Sequence, residues 1–290
     1  MKFTRFCLVS VALLLSIATT SFSCLRPNND INSSIYSFED LHEPYQLTDS
    51  LLIQRIKSES IPSQILVRKA YVSSYNKDTK CPNYVAWHLT AEHANGSIKR
   101  PKNAFRGDKE VPEPRVEWYD YKNTGMSRGH LCPAGDNKWD ITAMYETFLM
   151  TNIVPQDKAL NDGYWNEIEM KCRLWAKKYG DIYIVSGPVP CKKPWKTIGE
   201  KKIFVPDDLF KVVLCLNGSP KVICFICHNS DNNKPMNQSV CSLKEIEQLT
   251  GIEFFPTLPK SVKQSIENEV NLSAWGLLVI IFLYICTEKK

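Results

Sequence analysis

The stretch Ser127-Arg-Gly-His-Leu-Cys-Pro-Ala-Gly-Asp136 places the imidazole of His130 two residues after the guanidinium of Arg128. Two further segments follow it closely: Thr151-Asn-Ile-Val-Pro-Gln156 and Leu160-Asn-Asp-Gly-Tyr-Trp-Asn-Glu-Ile-Glu169. Within 43 residues the chain therefore offers an imidazole, a guanidinium, a side-chain amide and a carboxylate.

The third segment predicts the start of a long helix, from Asn161 to about residue 178. Apolar residues recur there at the three- and four-residue spacing of a helix face that packs on a core, namely Trp165, Ile168, Cys172 and Trp175. Asn161 and Glu169 lie about 80° apart around such a helix, so they share a broad face. Taken alone, the pair could equally be a helix-capping asparagine and an ordinary surface glutamate.

These residue types suit the hydrolysis of a phosphodiester bond. His130 can take a proton from water, and the planar guanidinium of Arg128 can hold phosphate oxygens. Asn161 and Glu169 can supply the hard oxygen ligands that Mg²⁺ prefers. The order of the groups along the chain is more informative than any one of them.

The ordered set resembles the DNA/RNA non-specific endonuclease family of ββα-metal nucleases, which includes secreted bacterial nucleases and mitochondrial endonuclease G. The resemblance extends from about residue 69 to about residue 275. One position departs from the family pattern, because Ser127 stands where the family usually has aspartate. The matching residues are Arg128, Gly129, His130, Asn152, Pro155, Gln156, Leu160, Asn161, Trp165 and Glu169.

The resemblance implies how the groups divide the work. His130 would be the general base, and Arg128 would grip the phosphate. One hydrated Mg²⁺ ion, with Mn²⁺ as a substitute, would be held by Asn161, and Glu169 would complete the metal site and orient its waters.

The resemblance also implies contacts with DNA and RNA by Arg100 or Arg106, which lie in a cationic loop before the motif, and by Asn152. Because no element is seen that reads base edges, cutting with little sequence preference is expected. A homodimer is compatible with the family.

The fold predicted from the apolar runs is α+β, with a central antiparallel β-sheet flanked by helices and a ββα-metal active-site motif. Gln64 to Tyr75 and Tyr84 to Thr90 read as the first two strands, and four apolar runs between residues 181 and 227 would complete the sheet. Ser242-Leu-Lys-Glu245 is a capping box that predicts a short helix ending at Gly251.

Two other functions compete with a nuclease. Ser127 favours an exported, weakly active or inactive protein that binds nucleic acid on the same fold without cutting it. The Cys224-Phe-Ile-Cys227 sequence suggests a thiol-redox protein, but it lies in a strand-like run, whereas reactive cysteines of this kind lie at helix starts. The nuclease interpretation accounts for more of the chain.

Length and net charge limit the number of domains and the kind of binding partner. The 290 residues suit one large domain, and a net charge of +5 suits a polyanionic partner without requiring one. The predicted division is a signal peptide at 1–23, a polar leader at 24–49, the endonuclease domain at 50–275 and an apolar C-terminal extension at 276–290.

The N-terminus predicts export, because a basic start precedes an apolar run and then small residues. The protein would be secreted, periplasmic or attached to a membrane, facing outside the cytoplasm. Attachment could use a lipid on Cys24 or the uncharged tail from Leu272 to Cys286, which could equally pack on the protein. Export would permit disulfides among eight of the eleven cysteines, with no pairing predicted.

Overall fold

The computed structural model describes residues 49–191 and 193–277. The predicted signal peptide, most of the polar leader and residues 278–290 of the predicted extension lie outside the described residues, so these boundaries stay predictions. The strands are β1 (Arg55–Ile56), β2 (Gln64–Val67), β3 (Val72–Asn76), β4 (Cys81–Thr90), β5 (Ser127–His130), β6 (Ile153–Gln156), β7 (Asp181–Pro188), β8 (Thr197–Ile198), β9 (Ile203–Phe204), β10 (Asp208–Cys215), β11 (Lys221–His228), β12 (Val240–Cys241) and β13 (Ile252–Glu253).

Seven strands form the central sheet in the order β12-β11-β10-β7-β4-β3-β2, and every neighbouring pair is antiparallel. Strands β5 and β6 form a separate antiparallel hairpin that precedes two helices. This order is the predicted ββα arrangement. The helices are α1 (Ile141–Glu146), α2 (Lys158–Asp162), α3 (Tyr164–Tyr179), α4 (Leu243–Thr250) and α5 (Lys260–Ile266).

Both faces of the sheet are covered, which explains why its central strands are apolar almost throughout. In β10, Leu209 and Val213 join the core cluster that includes α3, while Phe210 and Val212 join the cluster that includes α4 and α5. Successive side chains of a strand point to opposite faces, so each strand supplies both clusters. The predicted α+β fold is confirmed.

The first predicted strand is two strands. Between β2 and β3 the chain turns at residues 68–71, where the N–H of Arg68 donates to the carbonyl of Tyr71 at 2.8 Å. The turn residues 68–71 include no glycine, proline, asparagine or aspartate, so the sequence gave no signal of a break.

The predicted single helix from Asn161 is also wrong at its start. The carboxylate of Asp157 caps α2 by accepting two main-chain N–H groups of its first turn, so Asn161 lies in the last turn of α2 and is not a cap. Gly163 has φ −105° and ψ −103°, which is not helical, and α3 begins after it. Asn161 and Glu169 are therefore on different helices, and the angle of 80° does not apply.

The eight cysteines of the described residues are all free thiols, so none forms the disulfides that export would permit. Cys224 and Cys227 lie on β11 rather than at a helix start. Burial raises the pKa of both thiols, to about 12 for Cys227, and a protonated thiol is a poor nucleophile. The structure thus gives no support to a thiol-redox function.

The start of the apolar tail packs on the core. The indole of Trp175 donates to the carbonyl of Trp275 at 2.9 Å, and the indole of Trp275 donates to the carbonyl of Val222 at 3.3 Å. Trp275 is buried between these partners. Among the described residues no helix is long and apolar enough to span a membrane.

A buried ion pair ties the edge of the sheet to the loop that leads toward the hairpin. The guanidinium of Arg68 donates to Asp108 at 2.6 Å, and the two side chains are 1% and 4% exposed. Asp108 also accepts the hydroxyl of Thr151 at 2.5 Å, just before β6. The pair therefore connects β2 with the segment that begins β6.

We expect Arg68→Leu to lower the free energy of unfolding by about 3–5 kcal/mol, because it leaves the Asp108 carboxylate buried without the guanidinium. Urea unfolding followed by circular dichroism measures this loss. Arg55→Leu is the control: Arg55 pairs with Glu253 at 3.0 Å but its side chain is 67% exposed, so the loss should stay below about 1 kcal/mol. Equal losses in the two variants would contradict the importance of the buried pair.

Candidate active site

The hairpin of β5 and β6 presents Arg128 and His130. Gly129 lies between them and pairs with Val154, and a Cβ atom at position 129 would come within 2.0 Å of the side-chain oxygen of Gln156. Glycine at position 129 therefore leaves room for the close approach of the Gln156 side chain. The contact between Gln156 and Gly129 sets the distance between β5 and β6 at the position of Arg128 and His130.

Asn152 fixes the chain just after His130. It is fully buried, its amide oxygen accepts the N–H of Cys132 at 2.9 Å, and its amide nitrogen donates to the carbonyls of Cys132 and Thr147 at 2.8 Å each. An amide that is enclosed and fully hydrogen-bonded has no atom left for substrate. The location of Asn152 therefore does not support the predicted contact with nucleic acid; its contacts position the hairpin.

His130 is buried against aromatic rings. Its ring centroid is 5.2 Å from that of Phe105 and 5.1 Å from that of Phe148, and its carbonyl accepts the indole N–H of Trp165 at 3.2 Å. Its Nε2 atom is buried without a hydrogen-bond partner among the described residues. Burial, together with the positive charges of Arg100 and Arg128, lowers the pKa of His130 to about 3.

An imidazole with so low a pKa is neutral at physiological pH, but it is a weak proton acceptor, because a general base works best when its pKa lies near the operating pH. The predicted role of base therefore requires a bound phosphate, whose negative charge offsets Arg100 and Arg128 and raises the pKa of His130.

Arg128 and Arg100 line one open cleft. The guanidinium carbon of Arg128 is 4.5 Å from the centroid of Phe105, and that of Arg100 is 5.1 Å from the centroid of Phe148. The cleft has a volume of about 570 Å³ and is lined by both arginines, both phenylalanines and Trp118, which is 40% exposed. Two cations held over aromatic faces in a concave surface suit an anionic ligand.

Arg106 is placed differently from Arg100. Its guanidinium donates to the carbonyls of Ala104 and Tyr145 at 2.9 Å each, and it is not among the described residues that line the cleft. Of the two arginines that the sequence left open as substrate contacts, the geometry favours Arg100. The contacts of Arg106 hold the loop in place instead.

Asn161 lines an adjoining part of the cleft of about 410 Å³, together with Arg100, Ser127 and Arg128. Its amide nitrogen donates to the carboxylate of Asp162 at 2.8 Å, and no described residue donates to its amide oxygen. The oxygen is thus available to a ligand. Ser127 lies in the same part of the cleft, where the family pattern has a carboxylate.

Glu169 lies on α3, partly buried in a group of charged side chains. Burial raises its pKa to about 7, although Lys211, Arg173 and Arg100 act to lower it. Asp136 is the nearby acid that raises it further, and Arg173 donates to Asp136 at 2.8 Å. The positive charge of Arg100 thus acts to lower the pKa of both Glu169 and His130.

Asp136, Arg173 and Lys211 were not predicted as site residues from the sequence. Two features of the sequence could have indicated Arg173 and Lys211. Arg173 follows Glu169 by four residues, the spacing that puts two side chains on one helix face. Lys211 interrupts an otherwise apolar strand, which is unusual for a lysine on a covered sheet.

Asn161 and Glu169 each carry a donor atom of the type that suits a hydrated divalent cation, but only Asn161 is among the residues that line the cleft. The amide oxygen of Asn161 and the carboxylate of Glu169 accept no hydrogen bond from the described residues, and both are hard oxygen ligands. Within 49–191 and 193–277 no group of three or more histidine, cysteine or acidic side chains could hold a metal ion. A Mg²⁺ ion that keeps most of its waters does not need such a group, because one or two protein oxygens suffice.

Comparison with known proteins agrees with the fold and the motif. Residues 50–261 match the DNA/RNA non-specific endonuclease family. The chain is 34% identical over 236 residues to the human nuclease EXOG, mitochondrial, a match that covers 74% of this chain and 63% of the human protein. It is 32% identical over 227 residues to the mitochondrial nuclease of Saccharomyces cerevisiae, covering 70% of this chain and 69% of the yeast protein.

A solved structure is also similar. It is the EndoG/EndoGI complex, a study of EndoG inhibition, and the matched chain has a TM-score of 0.66 and 25% identity, covering 77% of this chain and 99% of that one. The inhibitor is a partner of that protein.

The prediction of export is wrong. The human, zebrafish, budding yeast and fission yeast relatives are named as mitochondrial nucleases, which contradicts a secreted, periplasmic or surface location. A basic start and an apolar run also occur in chains that are not secreted, so the N-terminal pattern was not specific enough. Membrane attachment and a homodimer remain predictions.

The chain spans less than two thirds of the length of the human and zebrafish EXOG proteins, and the predicted DNA/RNA non-specific endonuclease family is confirmed. The match extends over most of the described residues, and the identity to named nucleases exceeds 30% over more than two thirds of the chain. The chain belongs to the DNA/RNA non-specific endonuclease family.

Proposed function

We propose that this protein is a Mg²⁺-dependent endonuclease that hydrolyses phosphodiester bonds of DNA and RNA with little sequence preference. The observation that carries the proposal is the cleft itself: Arg100, Arg128 and Asn161 line it together, and His130 packs on the two phenylalanines of its wall. Cations, a metal ligand and a neutral imidazole are the groups that this hydrolysis needs.

Each residue has a defined part in the proposed reaction. Arg100 and Arg128 bind the non-bridging phosphate oxygens, and His130 takes a proton from the attacking water. Asn161 and Glu169 would hold the metal ion, which, when bound, supplies positive charge to the phosphate and the leaving oxygen. The exposed face of Trp118 offers a surface on which a base can stack.

The alternative of a binding protein that does not cut rests on Ser127. Ser127 lines the cleft, but it has no described contact with His130, whose low pKa comes from burial and two arginines. The base, the phosphate contacts and the metal ligand are all present without a carboxylate at position 127. Catalysis is therefore the function that the site supports better.

We propose a mitochondrial location, on the basis of the relatives' names. Residues 1–23 contain no acidic residue, as is usual for a mitochondrial presequence, but they carry only Lys2 and Arg5 and a continuous apolar run in place of an arginine-rich amphipathic pattern. Mitochondrial fractionation of cells that express the full chain tests this.

We expect purified protein to degrade both plasmid DNA and RNA in Mg²⁺ and to lose this activity when EDTA removes the metal. His130→Ala should lower the rate by about 10²–10⁴-fold, the usual contribution of a general base. Gel assays of the two substrates measure both effects. Cleavage that persists in EDTA, or in the His130 variant at the wild-type rate, would exclude the proposed mechanism.

Asn161→Ala should raise the Mg²⁺ concentration needed for half-maximal activity, because it removes the amide oxygen proposed as a direct ligand. A Mg²⁺ titration of the cleavage rate measures this, and circular dichroism checks the fold. Asn166→Ala is the matched control, an asparagine in the first turn of α3 that is not among the described cleft residues. If both variants need the same Mg²⁺ as the wild type, Asn161 is not a metal ligand.

His130 should stay neutral throughout pH 5–8 in the metal-free protein, since its pKa lies near 3. An unfolded chain protonates the same imidazole near pH 6.5, so this residue makes the folded state less stable as pH falls from about 6.5 toward 3. NMR of the imidazole nitrogens, assigned with a His130→Asn variant, measures the titration. A midpoint between pH 6 and 7 would contradict the buried, neutral histidine.

A further inference from the structure

Lys211 is a fully buried lysine at the centre of the sheet. It lies on β10 within the run Leu209–Cys215, pairs with Ser186 of β7 and Phe225 of β11, and has 0% exposure. Removing an ammonium group from water is costly unless its charge is compensated. A residue so placed in an apolar run needs an explanation beyond packing.

Two tryptophans enclose the ammonium. Its nitrogen is 4.2 Å from the ring centroid of Trp165 and 5.1 Å from that of Trp87, and it donates to the hydroxyl of Ser186 at 3.2 Å. The face of an indole attracts a cation, and the attraction is strongest where water is excluded. Lys211 therefore holds both rings at fixed positions.

Each of these two rings hydrogen-bonds to a different side of the active site. The indole of Trp165 donates to the carbonyl of His130 at 3.2 Å. The indole of Trp87 donates to Asp136 at 3.1 Å, and Asp136 binds Arg173 at 2.8 Å. A single buried cation is thus connected through two rings to the proposed base and to the acid beside Glu169.

We propose that Lys211 is a positioning residue for the nuclease site, which sets the place of His130 and Asp136 through the indole rings of Trp165 and Trp87. This inference rests on the proposed function. It concerns geometry: the ammonium contacts neither substrate nor metal, and it acts by holding the rings that hold the site.

Substitution of Lys211 should affect stability alone if the lysine only supports the fold, and should also affect kcat if it positions the site. Removing one charge from a buried group that also holds Asp136 and Glu169 is destabilising, because it leaves the acids with less compensating charge. Lys211→Met should therefore lower the melting temperature, and kcat is compared at a temperature at which both proteins are folded. If Lys211 also positions the site, kcat should fall about 10- to 100-fold with KM little changed, because small displacements of a catalytic group affect the chemical step.

The experiment compares kcat and KM of the wild type, Lys211→Met, Lys211→Arg and Lys221→Met on one DNA substrate in Mg²⁺. Lys221 is the matched control, since its nitrogen also lies over two aromatic rings, 3.5 Å from the centroid of Tyr179 and 5.3 Å from that of Trp275, away from the described cleft. We expect the Met variant at 211 to lose kcat, the Arg variant to recover part of it, and the Met variant at 221 to match the wild type.

Trp165→Phe gives an independent test if Lys211→Met does not fold. Phenylalanine keeps an aromatic face toward the ammonium but cannot donate to the carbonyl of His130, so kcat should fall while KM holds. Wild-type kcat in Lys211→Met, or in Trp165→Phe, would overturn the positioning role.

A readout without catalysis separates this inference from the proposed function. Hydrogen exchange of the Trp165 and Trp87 indole N–H groups, followed by NMR, should be slow in the wild type and faster in Lys211→Met. Exchange that is unchanged by the substitution overturns the inference even if the enzyme is active. An inactive wild type overturns the proposed function, while faster indole exchange in the variant would still support the link from Lys211 to the two rings.

Discussion

The hairpin of β5 and β6 is held by hydrogen bonds from the main chain of His130 and of the residues just after it to two buried side chains. Asn152 bonds to both main-chain groups of Cys132, and Trp165 bonds to the carbonyl of His130. A hairpin of two four-residue strands cannot hold its geometry alone, because so short a pair is only marginally stable in water. Its precision comes from α3 and from the turn before β6, each of which supplies one of these side chains.

The charged groups whose burial is unfavourable are concentrated in the core behind the cleft. Lys211, Asp136 and Glu169 are charged groups in or at the edge of an apolar cluster, and burial raises the pKa of both acids. Each charge would be unfavourable alone, but the cations Lys211 and Arg173 oppose that rise. The cluster is therefore a balanced set, in which removing one member changes the environment of the rest.

From the sequence alone, the residues that line the cleft could be predicted better than the contacts that each side chain makes. The positions of Arg128, His130 and Asn161 could be predicted because their order along the chain is distinctive, and the antiparallel sheet followed from apolar runs of strand length. The hydrogen bonds of Asn152 could not be predicted, because an amide that holds a loop and one that contacts substrate look alike in sequence. The break at Gly163 was also hidden, since the apolar spacing continues across it and only the backbone angles reveal the end of α2.

The eight free thiols have a consequence for how the protein can be handled. Burial raises the pKa of every one of them, and only Cys191 and Cys241 have partly exposed side chains. Thiol reagents act on accessible thiolates, so within residues 49–191 and 193–277 alkylation of the folded protein should be confined largely to these two positions. The other six thiols of this part of the chain become reactive only when the core opens, and their rate of alkylation reports the opening of the fold without an engineered cysteine.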